Sequence, residues 1–100
     1  MTEKVWLDLN NPEFQKQLFA LEKTDQRAAL SGLARISRTT WDQIYADRGL
    51  NWEKIVSRSG PHGGTIYSLR IGKAFRGIAF REKQWMRFLA LHPDHDSTYR

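Results

Sequence analysis

Three strand-like runs of apolar and polar residues lie in the last third of the chain, at residues 66–71, 74–81 and 85–91. The first two runs alternate with a period of two, which is typical of a β-strand with two differently solvated faces. The third run is apolar on both faces. The connections, at residues 72–73 and 81–84, have the length that joins antiparallel neighbours. The pattern therefore predicts an antiparallel meander.

The same alternation divides the charged residues between the two faces of the predicted sheet. In the first run, Tyr67, Leu69 and Ile71 lie on one side and Arg70 on the other. In the second run, one face carries Ala74, Arg76, Ile78 and Phe80, and the other carries Phe75, Gly77, Ala79 and Arg81. If helices cover the Tyr67 side, Arg70 and Arg76 project from the uncovered side, where two guanidinium groups can bind one phosphate. Alternatively, each arginine covers apolar atoms with its stem and keeps its head in water.

Helical spacing dominates the chain ahead of the meander. The pattern first predicts a strand at residues 4–9 and a helix that runs from a cap at Asn10 or Asn11 to about Lys23. A second helix follows, capped by Thr24 or Asp25, and then a short third helix, capped by Thr39 or Thr40 and ended by Gly49. A strand at residues 52–56 and a turn-rich loop at residues 59–64 complete this part of the chain. This order predicts an α+β fold in which two or three helices pack on one face of a sheet of three to five strands.

Composition places the chain among small globular proteins. With 100 residues and 40% hydrophobic content, one domain over residues 1–100 is expected. No cysteine is present, so disulfides and thiolate metal sites are excluded, which fits a reducing compartment. The sequence shows neither a leader peptide nor an apolar run that could span a membrane. We therefore expect a soluble cytoplasmic protein.

The net charge of +5 is unevenly distributed. Residues 1–65 carry nine basic and eight acidic side chains, whereas residues 66–100 carry seven and three. A positive field over the predicted sheet favours a polyanion such as nucleic acid, or an acidic protein, as the partner. A basic surface that only maintains solubility is the alternative.

The C-terminal segment, residues 92–99, concentrates groups that can take part in chemistry. His95 can exchange protons near neutral pH, and Tyr99 has a hydroxyl group that can donate or accept. A metal site would use His92, Asp94, His95 and Asp96, but the sequence has no other ligand cluster to complete it. A plain C-terminal turn at Pro93 is the remaining interpretation.

Three motifs of this region resemble the RelE/ParE superfamily of bacterial type II toxin-antitoxin toxins. They are Y-x-L-R-I at residues 67–71, F-R-x-x-x-F at residues 75–80 and H-x-x-H-D-x-x-Y at residues 92–99. The resemblance implies a small twisted antiparallel sheet with helices on one face. It also implies a metal-independent ribonuclease without a cofactor, which cleaves messenger RNA in the ribosomal A site through attack of the RNA 2′-hydroxyl.

The resemblance also implies roles for individual residues. Arg76 matches the arginine that follows an aromatic residue, Tyr99 the C-terminal tyrosine, and His95 a position where some members place a histidine that acts as acid or base. These three residues are the predicted catalytic group. The predicted substrate-binding residues are Arg70, which matches a basic position on the first hairpin strand, and the neighbouring cations Lys73, Arg81 and Arg87.

The expected partners follow from the same resemblance. An acidic antitoxin would neutralise the toxin by lying across the basic sheet, and the target would be messenger RNA on the ribosome. ParE-like members share the fold but inhibit DNA gyrase, and an inactive toxin-like module is a third alternative. Ser68, Asp94 and Asp96 depart from the basic pattern of many ribonuclease members. The sequence leaves open whether the chain forms a homodimer.

Overall fold

A computed structural model describes residues 3–72 and 75–93. In this part of the chain the elements are β1 (Trp6–Asp8), α1 (Pro12–Phe19), α2 (Lys23–Ser37), α3 (Trp41–Ala46), β2 (Glu53–Ser59), β3 (Thr65–Arg70), β4 (Phe75–Glu82) and β5 (Trp85–Pro93), with a 3₁₀ turn at Pro61–Gly63. The fold is α+β, as predicted. None of the helices described is long and apolar enough to cross a bilayer.

The five strands form one sheet in the order β1-β5-β4-β3-β2. Strands β2 to β5 are antiparallel neighbours, which confirms the predicted meander. The sheet is mixed and not antiparallel throughout, because β1 pairs in parallel with β5, with Trp6 opposite Trp85. A parallel pair needs a long connection, and here the rest of the chain separates the two strands.

Side-chain caps explain where two of the helices begin. The Asn11 side chain accepts a hydrogen bond from the Phe14 N–H at 3.0 Å, and Pro12 occupies the first turn. At α3, Thr40 and Gln43 form a reciprocal capping box. Both caps give hydrogen-bond partners to helical N–H groups that would otherwise lack one. Because the capping residues are local in sequence, the beginnings of α1 and α3 could be predicted.

The boundary between α1 and α2 differs from the prediction. Helix α1 ends at Phe19, and Gln26 of α2 donates from Nε2 to the carbonyl oxygens of Leu18 and Phe19 at 3.2 Å each. Helix α2 begins ahead of both predicted caps, Thr24 and Asp25. Two carbonyl groups at the end of α1 therefore bond a side chain seven to eight residues further along the chain, a contact that helix-cap signals do not indicate.

The main hydrophobic core lies between the helices and one face of the sheet, which we call the inner face. Its largest fully buried side chains include Phe14, Ile36, Trp41, Ile44, Leu69, Ile71, Met86 and Phe88. Phe14 of α1 and Phe88 of β5 bring their ring centroids to 5.1 Å. Tyr67 stacks on Trp52 at 4.5 Å, so the predicted inner face of β3 is confirmed.

Gly32 allows α2 to approach the end of β3 unusually closely. A Cβ atom added at this position would lie 1.8 Å from the carbonyl oxygen of Ile71. Only a residue without a side chain fits such backbone-to-backbone contact. The contact fixes α2 against the C-terminal end of β3, where the candidate functional residues begin.

Candidate functional site

The face of the sheet opposite the helices, which we call the outer face, carries a row of Arg70, Arg76 and His92. Arg70 of β3 lies opposite Arg76 of β4, and Arg76 lies opposite His92 of β5. Residues directly opposite each other have Cα atoms about 4.5–5.5 Å apart, so the three positions span about 10 Å. We call this set the basic row. It contains both arginines that alternation placed on the uncovered side.

Within the basic row, the guanidinium group of Arg76 is held by a neighbour on β3. Its Nη1 donates to the Ser68 hydroxyl at 3.1 Å, and Ser68 is buried. A guanidinium group has five N–H donors in a fixed plane, so one bond to Ser68 orients the whole group. Ser68, which stood out in the sequence as a departure from a basic pattern, therefore positions the arginine.

The sequence named His92 only as a possible metal ligand and as part of a motif, and did not place it on the sheet. The prediction ended the last strand at Leu91, whereas β5 continues to Pro93 and carries His92 into the sheet. A bulge between Ile78 and Ala79 sets the register that brings His92 opposite Arg76, and no sequence signal marks a bulge. An imidazole can both donate and accept a hydrogen bond, so the row combines two guanidinium groups with a side chain of a different hydrogen-bonding type.

An apolar surface borders the basic row on the outer face. Ile66, Ile78 and Ala90 form a small buried cluster, with Ile55, Phe80 and Leu89 packed against it. The turn after β2 lies close to this surface, since a Cβ atom at Gly60 would lie 2.3 Å from the Ile66 side chain. The two arginines therefore stand at one end of this apolar surface.

Arg87 lies on the outer face at a different place, about four residues along the strands from the basic row, which corresponds to roughly 13 Å. Its Nη1 is bonded to the Asp8 carboxylate, and its Nε donates to Glu82 at 2.7 Å. Its guanidinium group also lies over the Trp85 ring, at 5.2 Å. These carboxylates raise the pKa of Arg87 and would compete with a phosphate for its charge.

Asp8 gives the Arg87 cluster a testable pH dependence. The backbone N–H of Asn10, together with Arg87, lowers the pKa of Asp8 against the opposing effect of its burial. The pKa of Asp8 is therefore lower in the folded protein than in the unfolded protein. The stability that the ionised carboxylate contributes is fully present at pH values above the unfolded pKa, and it is lost as the pH falls through the folded pKa.

We expect Asp8→Asn to lower the free energy of unfolding by at most about 1 kcal/mol at neutral pH. The difference from the wild type should disappear at acid pH, where Asp8 is protonated and resembles asparagine in charge. Urea unfolding at a series of pH values measures it. A difference that stays constant across this series would contradict the role of the Asp8 charge.

Arg81 lies on the inner face of the sheet. It is the third of the predicted substrate-binding arginines in the part of the chain that the structure describes. Its guanidinium carbon is 4.3 Å from the centre of the Trp41 ring. Its Nη1 donates to the Tyr45 hydroxyl at 2.8 Å and its Nε to the Lys83 carbonyl oxygen at 2.6 Å. These contacts join α3 to β4, so the structure does not bring Arg81 together with the basic row.

The other predicted site residues, Lys73, His95 and Tyr99, lie outside the described residues. Of the alternative metal-ligand set, only His92 belongs to the described part of the chain. Residues 3–72 and 75–93 contain no cluster of three histidine, aspartate, glutamate or cysteine side chains that could hold a metal ion. In the described part of the chain, the predicted site residues that the sheet brings together are Arg70 and Arg76, with His92 beside them.

Comparison with known proteins gives one informative similarity. Neither a protein-family model nor a curated protein sequence matches the chain. A chain of the archaeal RelE–RelB complex from Pyrococcus horikoshii OT3 is similar in structure, with a TM-score of 0.54 and 20% sequence identity. The similarity covers 93% of this chain and 96% of that chain. At this identity the comparison establishes the architecture: the chain has a RelE-like fold.

Proposed function

We propose that the chain is the toxin of a toxin-antitoxin system and acts as a messenger RNA endonuclease on the ribosome. The observation that carries the proposal is the basic row, in which Arg70 and Arg76 occupy opposite positions on adjacent strands. Two planar donor groups at this spacing suit the oxygens of a single phosphodiester. The RelE-like fold and the sequence motifs support the same assignment.

In the proposed reaction, the 2′-hydroxyl of the RNA attacks the adjacent phosphorus, and the bond to the 5′-oxygen of the next nucleotide breaks. The products are a 2′,3′-cyclic phosphate and a 5′-hydroxyl. Arg70 and Arg76 stabilise the negative charge that develops on the phosphate oxygens. The reaction uses no metal ion or cofactor.

Two proton transfers accompany this displacement, one from the 2′-hydroxyl and one to the leaving oxygen. His95 and Tyr99 remain the residues that the sequence predicts for these steps. His92 joins them, because β5 places it directly opposite Arg76. At this position the imidazole is close enough to the two arginines for all three side chains to reach the same nucleotide.

We further propose that an acidic antitoxin neutralises the toxin. The similar solved structure is a RelE–RelB complex, and the excess positive charge of this chain lies in residues 66–100. An acidic segment over the outer face would occupy the basic row and exclude RNA. Such a toxin would act in the cytoplasm, where the ribosomes are.

A gyrase-directed toxin is the second candidate, favoured by the apolar surface of the outer face. Ile55, Phe80 and Leu89 remain partly exposed there beside the buried cluster. Apolar area next to a few charges is typical of a protein-binding surface. This candidate predicts DNA breaks and intact messages in cells that express the chain.

Inducible expression with transcript mapping tests the proposal against these alternatives. The ribonuclease predicts growth arrest within minutes of induction and new 5′-hydroxyl ends inside translated reading frames. Co-expression of the antitoxin should abolish both effects. Growth arrest with intact messages would favour the gyrase candidate, and normal growth would indicate an inactive module; either result overturns the proposed endonuclease.

Ser68→Ala provides a graded test of the basic row. Because Ser68 only orients Arg76, its loss should lower the cleavage rate by about tenfold, which corresponds to a net hydrogen bond of about 1.4 kcal/mol. Ser68→Thr retains the hydroxyl and is the matched control. Rates on a programmed ribosome give the comparison, and equal rates for the alanine variant and the wild type would contradict the positioning role.

A further inference from the structure

Strand β4 carries a self-complementary row of side chains on the outer face. Alternate residues of a strand share a face, so Arg76, Ile78, Phe80 and Glu82 follow one another there. The row consists of a cation, two apolar residues and an anion. Such a row matches a second copy of itself that runs in the opposite direction, because each charged end then meets the opposite charge and the apolar middles meet each other.

The apolar middle of the row is part of a wider surface. Phe80 of β4, Leu89 of β5 and Ile55 of β2 remain partly exposed beside the small buried cluster. All three described helices pack on the inner face, so in the described part of the chain no helix covers this surface.

The size of the outer face is sufficient for a weak dimer. Five strands, each about 4.8 Å wide, and a strand length of about 23 Å give a face of roughly 500 Å². Two copies packed through this face would bury about 1,000 Å² in total, which is typical of a weak and reversible protein interface. A dimer formed here is therefore expected to depend on protein concentration.

The two charged ends of the row can each accept a further partner. Glu82 accepts from Arg87 Nε at 2.7 Å, yet its side chain is 60% exposed, and a carboxylate can accept several hydrogen bonds. Asp8 also bonds Arg87, so Glu82 is not required to balance that arginine. At the other end, Arg76 donates to Ser68 from Nη1, and a guanidinium group has four more N–H donors in the same plane.

The charges select one orientation of two facing sheets. A twofold axis that runs across the strands, between Ile78 and Phe80, places Glu82 of each copy over Arg76 of the other, so that this pair forms twice. A twofold axis parallel to the strands would instead bring the two basic rows together, and like charges disfavour that arrangement. The first axis therefore combines charge pairing with apolar contact.

We propose that a second copy of this chain covers the outer face in a twofold symmetric dimer, in which Glu82 of each copy pairs with Arg76 of the other. The dimer hides the basic row, because Arg76 is engaged and Arg70 lies beside it on the next strand. The dimer itself is inferred from the outer face alone, whereas its consequence, inhibition of RNA cleavage, rests on the proposed function. By mass action, dilution releases active monomers.

Charge reversal at Glu82 tests the dimer. Glu82→Arg introduces two like-charge contacts per interface, so the dimer dissociation constant from analytical ultracentrifugation should rise by about tenfold or more. The double variant Arg76→Glu/Glu82→Arg restores opposite charges and should dimerise like the wild type. Glu13→Arg makes the same change at an exposed position of α1, on the helix side of the sheet, and should leave the dissociation constant unchanged. Thermal unfolding checks that each variant is folded.

Two results of this comparison would overturn the inference. One is a wild-type protein that stays monomeric at millimolar concentration. The other is equal dimerisation by Glu82→Arg and Glu13→Arg, which would show that the copies associate through a different face.

A crosslink tests the orientation of the two copies. The Arg76→Lys variant supplies an amine, which a carbodiimide joins to a carboxylate in direct contact with it. Positions 76 and 82 of one copy lie about 20 Å apart along β4, so an amide bond between them can join only two copies. Mass spectrometry should find this linked peptide pair in Arg76→Lys and not in Arg76→Lys/Glu82→Gln. Crosslinks from position 76 to other carboxylates alone would contradict the proposed orientation.

Cleavage assays distinguish the failure of the dimer from the failure of the proposed function. The wild-type cleavage rate per copy should fall as the protein concentration is raised through the dimer dissociation constant, whereas the rate of Glu82→Arg should stay constant over the same range. A protein that cleaves RNA but is always monomeric would overturn the dimer and leave the endonuclease intact. A dimer with the Glu82–Arg76 pair that cleaves no RNA even after dilution to monomers would support the dimer and refute the endonuclease.

Discussion

Arg76→Ala is expected to lower the rate of RNA cleavage by about 100-fold or more, the usual loss when one donor to a developing charge is removed. Arg76 lies at the centre of the basic row, between Arg70 and His92, and its guanidinium group is already oriented by Ser68. Its removal leaves one guanidinium group for the charged phosphate. Single-turnover cleavage of a message on a programmed ribosome measures the effect.

Two further variants separate chemistry from general charge. Arg76→Lys keeps the charge but loses the planar donor group, so it should recover only part of the rate. Arg87→Ala removes the same residue type from the same face, but Arg87 is bonded to Asp8 and Glu82. Its cleavage rate should stay within about threefold of the wild type, as expected for a charge already neutralised by carboxylates. If both alanine variants lose activity equally, the basic row has no special role.

Among the substitutions proposed for this chain, Gly32→Ala should cause the largest loss of stability, a decrease of about 3 kcal/mol in the free energy of unfolding. Helix propensity alone predicts the opposite sign, a gain of about 1 kcal/mol for alanine over glycine. The added Cβ atom would lie 1.8 Å from the Ile71 carbonyl oxygen. That oxygen belongs to the backbone beside β3, so α2 or the sheet has to move.

Ser31→Ala is the matched control for this helix. Ser31 is exposed and precedes Gly32 directly, so the change tests propensity without the steric contact, and we expect equal or slightly greater stability. Urea unfolding compares the two variants with the wild type. If Gly32→Ala is as stable as Ser31→Ala, the close approach of α2 to β3 is not as the structure describes it.

The faces of the sheet could be predicted because side chains alternate strictly along a strand. The apolar positions of β3 assigned Leu69 and Ile71 to the core, and this assignment required Arg70 to face outward. The same rule put Arg81 on the side of Phe75, away from Arg76. The contact of Arg81 with Trp41 is therefore consistent with the alternation, although its charge alone had suggested substrate binding.

Register and long-range pairing could not be predicted, because they depend on contacts between distant parts of the chain. The position of His92 opposite Arg76 follows from the bulge in β5 opposite the step from Ile78 to Ala79, and from the length of β5. The parallel pairing of β1 with β5 places Asp8 beside Arg87, residues far apart in sequence.

The most direct test of the proposed endonuclease uses ribosomes programmed with two messages that differ by one atom. One message is entirely ribonucleotide, and the other has a 2′-deoxy nucleotide on the 5′ side of the cleaved bond. We expect the wild-type protein to cut the first message, with a 2′,3′-cyclic phosphate and a 5′-hydroxyl as the new ends, and to leave the second message intact. Equal cutting of both messages, or of neither, would contradict attack by the 2′-hydroxyl at the basic row.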